Sequence, residues 1–164
     1  QDIFKKAEVK REDRIVTIGR LQPMKGAHLL ISACKKLGLK LCYISSECTG
    51  EYGEKLKPFI DEYYQNIPPE QVAEILQTSR VYVCPSLTER QSLGVLEAAA
   101  CGLPIVDSKH NRGNTLLPSS IVVDPENETE MCDAIQRQWH APRNTDRVPS
   151  WDDVATQLIK LYES

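Results

Sequence analysis

Residues 14–45 read RIVTIGRLQPMKGAHLLISACKKLGLKLCYIS, and this stretch decides the fold. Residues 14–19 are a short β-branched apolar run ending on glycine, which predicts a buried strand. Residues 26–37 carry Leu29, Leu30, Ala33 and Leu37 at helical spacing, with Gly38 placed to cap the helix. Residues 40–45 form a second apolar run. Strand, helix and strand in that order make the unit that joins parallel strands.

The same alternation continues along the chain. A weak polar helix is predicted over 51–63 and a short strand over 64–67. Pro68 and Pro69 open a helix running to residue 79, proline being favoured in a first turn. Strands are expected at 80–84, 104–107 and 120–123, and helices at 93–101 and 126–139. Residues 140–150, HAPRNTDRVPS, read as a polar linker. Ser150 with Asp153 three residues on is a capping-box pattern for a last helix to about residue 163. The strands are continuous apolar runs, so both faces of the sheet are expected to be covered. The fold class is therefore α/β: a doubly wound, Rossmann-like domain with a parallel sheet of about six strands, spanning 1–164. In such folds ligands lie outside the carboxyl ends of the strands. Chemistry is expected after Gly19, Ser45, Cys84 and Asp107.

Composition narrows the function. The chain has 164 residues, 41% hydrophobic and 26% charged, with net charge −3. That excludes a disordered chain, a collagen and a coiled coil. Its basic pairs, such as Lys35/Lys36, are scattered among acids and give no nucleic-acid stripe. No run approaches the roughly 18 apolar residues of a membrane span. The opening QDIFKKAEVKREDR is not expected to be a signal peptide. A start on Gln1 rather than Met is expected of a piece of a longer protein. Six cysteines at 34, 42, 48, 84, 101 and 132 include no C-x-x-C pair, and most lie in apolar runs. They predict buried thiols in a reducing, cytoplasmic setting. The sequon at Asn127 is then without consequence. His28, His110 and His140 are far apart in sequence and offer no metal-ligand spacing.

Polar residues gather in three loops. After the first strand, Arg20 and Lys25 precede a helix start whose free N–H groups suit an anion. After the strand at 80–84 comes CPSLTERQSLGVLEAAACGLP, with Glu89 in the loop and Glu97 inside the next helix. A carboxylate can accept from two vicinal hydroxyls, and the backbone around Ser92, Leu93 and Gly94 offers donors. Acceptors for sugar hydroxyls beside donors for phosphate would suit a nucleotide sugar. Asp107, Lys109, His110, Arg112 and Asn114 crowd the third loop and are expected to form a wall of the sugar pocket. Taken singly, each of these groups also fits a plain surface charge.

Together the loops resemble family 4 glycosyltransferases. IGRLQPMKG resembles their G-R-L-x-x-x-K-G segment, and Glu89 with Glu97 matches their E-x7-E motif. EAAACGLPIV, PPEQVAEILQTSRVYVCPS and RGNTLLPSSIVVDPENETEMCDAI resemble the segments around it, in the expected order from residue 14 to residue 135. The resemblance implies a GT-B enzyme of two Rossmann-like halves, of which this chain resembles the C-terminal, donor-binding half. The partner implied is a UDP-, GDP- or ADP-sugar, with the N-terminal acceptor domain of the same chain as the other. No cofactor, metal or nucleic acid is implied. The reaction implied is retaining hexosyl transfer to a glycan, lipid-linked sugar or other hydroxyl, as in polysaccharide biosynthesis, with any membrane docking left to the other half. By the same resemblance Arg20 and Lys25 neutralise the departing diphosphate beside Gly19. Glu89 binds the transferred sugar, Glu97 the ribose hydroxyls, and the backbone of Gln91, Ser92, Leu93 and Gly94 the phosphates. The family usually reads E-x-F-G-L, whereas this chain has Gln91 at the aromatic position and Ser92 at the glycine. That departure keeps open a non-catalytic nucleotide-sugar-binding or interaction module. A GT-B phosphorylase or epimerase domain is the other alternative. Alone, the fragment is expected to bind nucleotide weakly and catalyse nothing.

Overall fold

The computed structural model describes residues 3–46 and 50–162. Cys48 and the turn after Ser46, where one loop was expected to carry chemistry, fall on the undescribed residues 47–49. Among the described residues six strands form one parallel sheet in the order β3-β2-β1-β4-β5-β6. They are β1 (Arg14–Ile18), β2 (Lys40–Ser45), β3 (Glu62–Gln65), β4 (Val81–Val83), β5 (Ile105–Ser108) and β6 (Ile121–Val123). The helices are α1 (Ala27–Leu37), α2 (Gly50–Leu56), α3 (Pro69–Thr78), α4 (Leu93–Ala100), α5 (Glu128–Trp139) and α6 (Trp151–Tyr162). Among the described residues no helix is long and apolar enough to cross a membrane.

Alternate strand residues feed two cores. Ile15, Leu41, Val81, Val83 and Val106 meet Leu30, Ala33, Met131 and Ile135 of α1 and α5 on one face. Val16, Cys42, Tyr82 and Ile105 meet Leu76, Val95, Ala98 and Ala99 of α3 and α4 on the other. With both faces buried, successive residues must all be apolar, which is why the strands read as continuous runs. The five described cysteines are unpaired and buried, as expected of small core hydrophobes.

Three expectations need correction. The helix over 51–63 ends at Leu56, where Pro58 interrupts the ladder and a single 3-10 turn follows. The third strand accordingly begins earlier, at Glu62, and ends at Gln65, followed by Asn66 in a left-handed conformation. Residues 140–150 are not a loose linker. The Asn144 amide donates to the Gly102 carbonyl, and the Arg143 guanidinium reaches the carbonyls of Val9 and Gln77, tying this strap to the segment before β1. The capping box forms as expected, with Asp153 N donating to Ser150 Oγ and Ser150 N to Asp153 Oδ2.

The strand order reverses between β1 and β4. Loops leaving their carboxyl ends therefore diverge and leave a crevice, the place where such sheets bind ligands.

Candidate functional site

Three loops line that crevice, those following β1, β4 and β5. The first is steered by one glycine. Gly26 has φ +65, and a Cβ there would lie 2.0 Å from the Pro85 carbonyl oxygen. No side chain fits at this position, so the loop after β1 packs directly on the loop after β4. Leu87 N donates to the Met24 carbonyl at 2.8 Å across the same junction, and the fully buried Leu21 anchors its base.

This packing carries Lys25 over to Glu89. The lysine stem passes Gly19, and its Nζ lies 2.5 Å from Glu89 Oε2. Both side chains are more than four-fifths buried, so the pair is shielded from bulk water and from screening salt. Glu89 Oε1 accepts from Arg90 N at 3.2 Å. Arg20 is exposed, and its side chain meets no partner among the described residues. Its carbonyl accepts from Tyr43 Oη at 3.3 Å.

Beyond Glu89 the chain turns into α4. Ser92 is the N-cap residue at φ −78 and ψ 111, extended backbone that any L-residue adopts. Serine in place of the usual glycine therefore strains nothing. No side chain caps the helix, which leaves its first amides to other acceptors. Leu93 is exposed, whereas Gly94 is buried against β4. A Cβ at Gly94 would lie 2.5 Å from the Tyr82 hydroxyl, so glycine lets α4 approach the sheet closely. One turn on, Glu97 is partly buried, and its carboxylate makes no hydrogen bond or ion pair among the described residues. Burial pushes its carboxyl above the usual range. The helix that opens on uncapped amides thus also carries a carboxylate acceptor without a side-chain partner among the described residues.

The third loop differs from expectation. Asp107 is fully buried inside β5 and does not wall a pocket. Burial raises its carboxyl to about 6, against hydrogen bonds from Asn111, Ser108 and Cys84 that favour the charge. Lys109 pairs with Asp124 at 2.5 Å, away from Glu89, and Arg112 is exposed. The Asn114 side chain is outside the described set. The residue that joins the loops is Asn111, which sequence reasoning passed over. Its Nδ2 donates to Asp107 Oδ2, and its Oδ1 accepts from Gly113 N and Ser92 N. Asn followed two residues later by Gly is an Asx-turn pattern, and that was the available signal. Ser108 Oγ adds a bond to the Ser86 carbonyl at 2.6 Å.

Folding also gathers groups that the sequence separates. His110, Asp124 and Glu126 bring three potential ligand atoms within 4.8 Å of one another, although Lys109 already neutralises Asp124. An open groove of about 470 Å³, lined in part by Ile31, Leu39, Phe59 and Ile60, lies at the opposite end of the sheet and shares no residue with the crevice.

The chain as a whole is similar to known proteins. Residues 12–140 match the family described as glycosyl transferases group 1. The chain is 28% identical over 178 residues to a D-inositol 3-phosphate glycosyltransferase of Corynebacterium urealyticum, covering 90% of this chain and 42% of that protein. It is 25% identical over 186 residues to the phosphatidylinositol N-acetylglucosaminyltransferase GPI3 subunit of Saccharomyces cerevisiae, covering 98% and 41%. The chain thus spans about two fifths of the length of these curated relatives. Among solved structures, sucrose-phosphate synthase from Thermosynechococcus elongatus superposes with a TM-score of 0.80 at 21% identity, over 99% of this chain and 49% of that one. That likeness extends to the fold.

Proposed function

Because the chain belongs to the group 1 glycosyl transferases, we propose that it is the nucleotide-sugar-binding half of a two-domain, retaining glycosyltransferase. The observation that carries this is the shielded Lys25–Glu89 pair, held where the loops after β1 and β4 meet, with the unpartnered Glu97 one helix turn beyond. Lys25, with Arg20 in the same loop, supplies positive charge where a diphosphate leaving group becomes negative. Charge fixed at that place stabilises the transition state more than the ground state. The uncapped amides of Leu93 and Gly94 at the start of α4, with the Gln91 backbone before them, add donors for the phosphates, while the Ser92 amide is held by Asn111. Glu97 accepts from ribose hydroxyls. Glu89, released from Lys25, accepts from hydroxyls of the transferred sugar.

On this view the leaving phosphate helps to deprotonate the acceptor on the same face, so the anomeric configuration is kept. The acceptor hydroxyl is brought by a second domain, and the donor half alone turns nothing over. Both curated relatives carry inositol in their names, and one is named for N-acetylglucosaminyl transfer. An N-acetylglucosaminyl nucleotide is therefore the first donor to test, with an inositol-bearing hydroxyl compound as the first acceptor.

Calorimetric titration of the chain with UDP, GDP and ADP tests the assignment. Saturable binding of one of them, lost in Lys25→Ala and in Glu97→Ala, is expected. No binding at millimolar nucleotide would replace it with an interaction module, for which the Gln91-Ser92 departure is the specific observation. Transfer by the full-length protein should disappear in Glu89→Ala.

A further inference from the structure

We propose that Asn111, anchored by the buried Asp107, is the positioning residue that fixes the turn into α4 and thereby aims the first amides of that helix into the crevice. This deepens the donor-domain assignment and rests on it. Asn111 is 1% exposed, although it is polar and lies in a loop. Such a group is kept inside only when its hydrogen bonds are satisfied. Here they run in three directions. Nδ2 donates to Asp107 Oδ2 at 2.8 Å, reaching the end of β5. Oδ1 accepts from Gly113 N at 3.2 Å, closing its own loop, and from Ser92 N at 3.4 Å, reaching the N-cap of α4. Partner chemistry fixes the orientation of the amide, because a carboxylate only accepts and a backbone N–H only donates.

Asp107 is the base of this strut. Its other oxygen accepts from Ser108 N at 2.8 Å, so the carboxylate is held on both sides within β5. The loop after β5 is clamped to the loop after β4 at further points. Glu89 and Asn111 form a parallel bridge, and Arg112 N donates to the Glu89 carbonyl at 3.3 Å. Gln91 closes the other side of the turn, its Cγ only 3.1 Å from where a Gly113 Cβ would be. The α4 N-cap has no side-chain cap of its own. Its direction is therefore set from outside the helix, through the Ser92 amide. The same strut also carries the backbone of Glu89.

The test uses this chain with Asn111→Ala, Asp107→Asn, and the swapped double variant Asp107→Asn/Asn111→Asp. In the swap, Asn at 107 still accepts from Ser108 and now donates, while Asp at 111 accepts from it and from both amides. Two quantities are read: affinity for the nucleoside diphosphate that the parent binds, and hydrogen exchange of the Ser92 and Gly113 amides. In Asn111→Ala, affinity is expected to fall about tenfold and both amides to exchange at least about tenfold faster, with cooperative melting retained. The swap should recover both. Faster exchange with unchanged affinity would overturn the positioning role, as would unchanged exchange. If Asn111→Ala does not fold, a swap variant that folds but does not bind overturns it equally. If the parent binds no nucleoside diphosphate, the donor-domain assignment fails. Asn111 is then judged on exchange alone, and unaltered protection of Ser92 in Asn111→Ala sinks it.

Discussion

Lys25 Nζ lies 2.5 Å from Glu89 Oε2, and this contact spans the two loops that flank the reversal in strand order. The two groups are 64 residues apart in sequence and neutralise each other across the crevice. A ligand phosphate that takes Lys25 must compete with Glu89, and the freed carboxylate then needs hydroxyl donors. Under the proposed function, phosphate and sugar would replace this one internal ion pair with two ligand contacts.

Competition of this kind has a sign that can be measured. Glu89→Gln removes the competing charge and should tighten binding of the bare nucleoside diphosphate several-fold, whereas Lys25→Ala should weaken it more than about tenfold. The full-length Glu89→Gln protein should nonetheless transfer poorly, since its sugar contact is altered. Calorimetry on the two variants decides the matter. Weaker diphosphate binding in Glu89→Gln would show that Glu89 does not restrain Lys25.

Glu97 is assigned to ribose hydroxyls because it is partly buried, unpartnered and placed on the α4 turn beside the phosphate donors. Charge-assisted hydrogen bonds are worth roughly 1.5–3 kcal/mol, so the parent should prefer a ribonucleotide over its 2′-deoxy analogue by about tenfold or more. In Glu97→Gln the preference should shrink to a few-fold. Competition binding with the two nucleotides measures the ratio, and an undiminished ratio removes Glu97 from the ribose.

Asp107 gives the fold a pH dependence of defined direction. Its folded pKa, raised to about 6 by burial, exceeds the ordinary carboxylate value. The folded chain therefore holds this proton more tightly than the unfolded chain. Stability from this group is full at low pH and declines as pH rises from about 4 to about 6, by about 3 kcal/mol in total. Carboxylates with depressed values, such as Asp124 and Asp153, act in the opposite direction. The comparison with Asp107→Asn isolates the one group. Relative to the parent, that variant should gain stability between pH 4.5 and 7.5 in denaturant melts. A constant difference would contradict the assignment.

The sheet was legible in the sequence because each strand is buried on both faces and so must be an unbroken apolar run. Helix ends marked by Gly38 and by Ser150 with Asp153 were legible for the same local reason. What escaped was set by neighbours. Pro58 shortens a helix whose polar pattern continues past it, and Arg143 fastens a strap whose composition is that of a linker. In the crevice, charged residues stood out, while Asn111, uncharged and buried, did not. Its importance comes from Ser92, 19 residues earlier, and no local pattern relates the two. Asp107 was misplaced because a carboxylate after a strand usually faces water, whereas here the strand continues to Ser108 and encloses it.

Gly94 and Tyr82 should be energetically coupled. The Tyr82 hydroxyl is fully buried and makes no hydrogen bond of regular geometry, although Ser92 and the Ile18 backbone face it. A Gly94 Cβ would lie 2.5 Å from it and 3.2 Å from Ile18 Cβ. Overpacking a core typically costs about 1–3 kcal/mol, and Gly94→Ala should fall in that range. Tyr82→Phe removes a buried hydroxyl that makes no hydrogen bond of regular geometry among the described residues and should be neutral or stabilising by up to about 1 kcal/mol. The double variant should then be more stable than the sum of the single effects allows, by about 1 kcal/mol, because the colliding atom is gone. Helix α4 would regain its approach to the sheet and, with it, nucleotide affinity lost in Gly94→Ala. Strict additivity in denaturant melts of the four proteins would mean that the Ile18 contact, not Tyr82, demands glycine at this position.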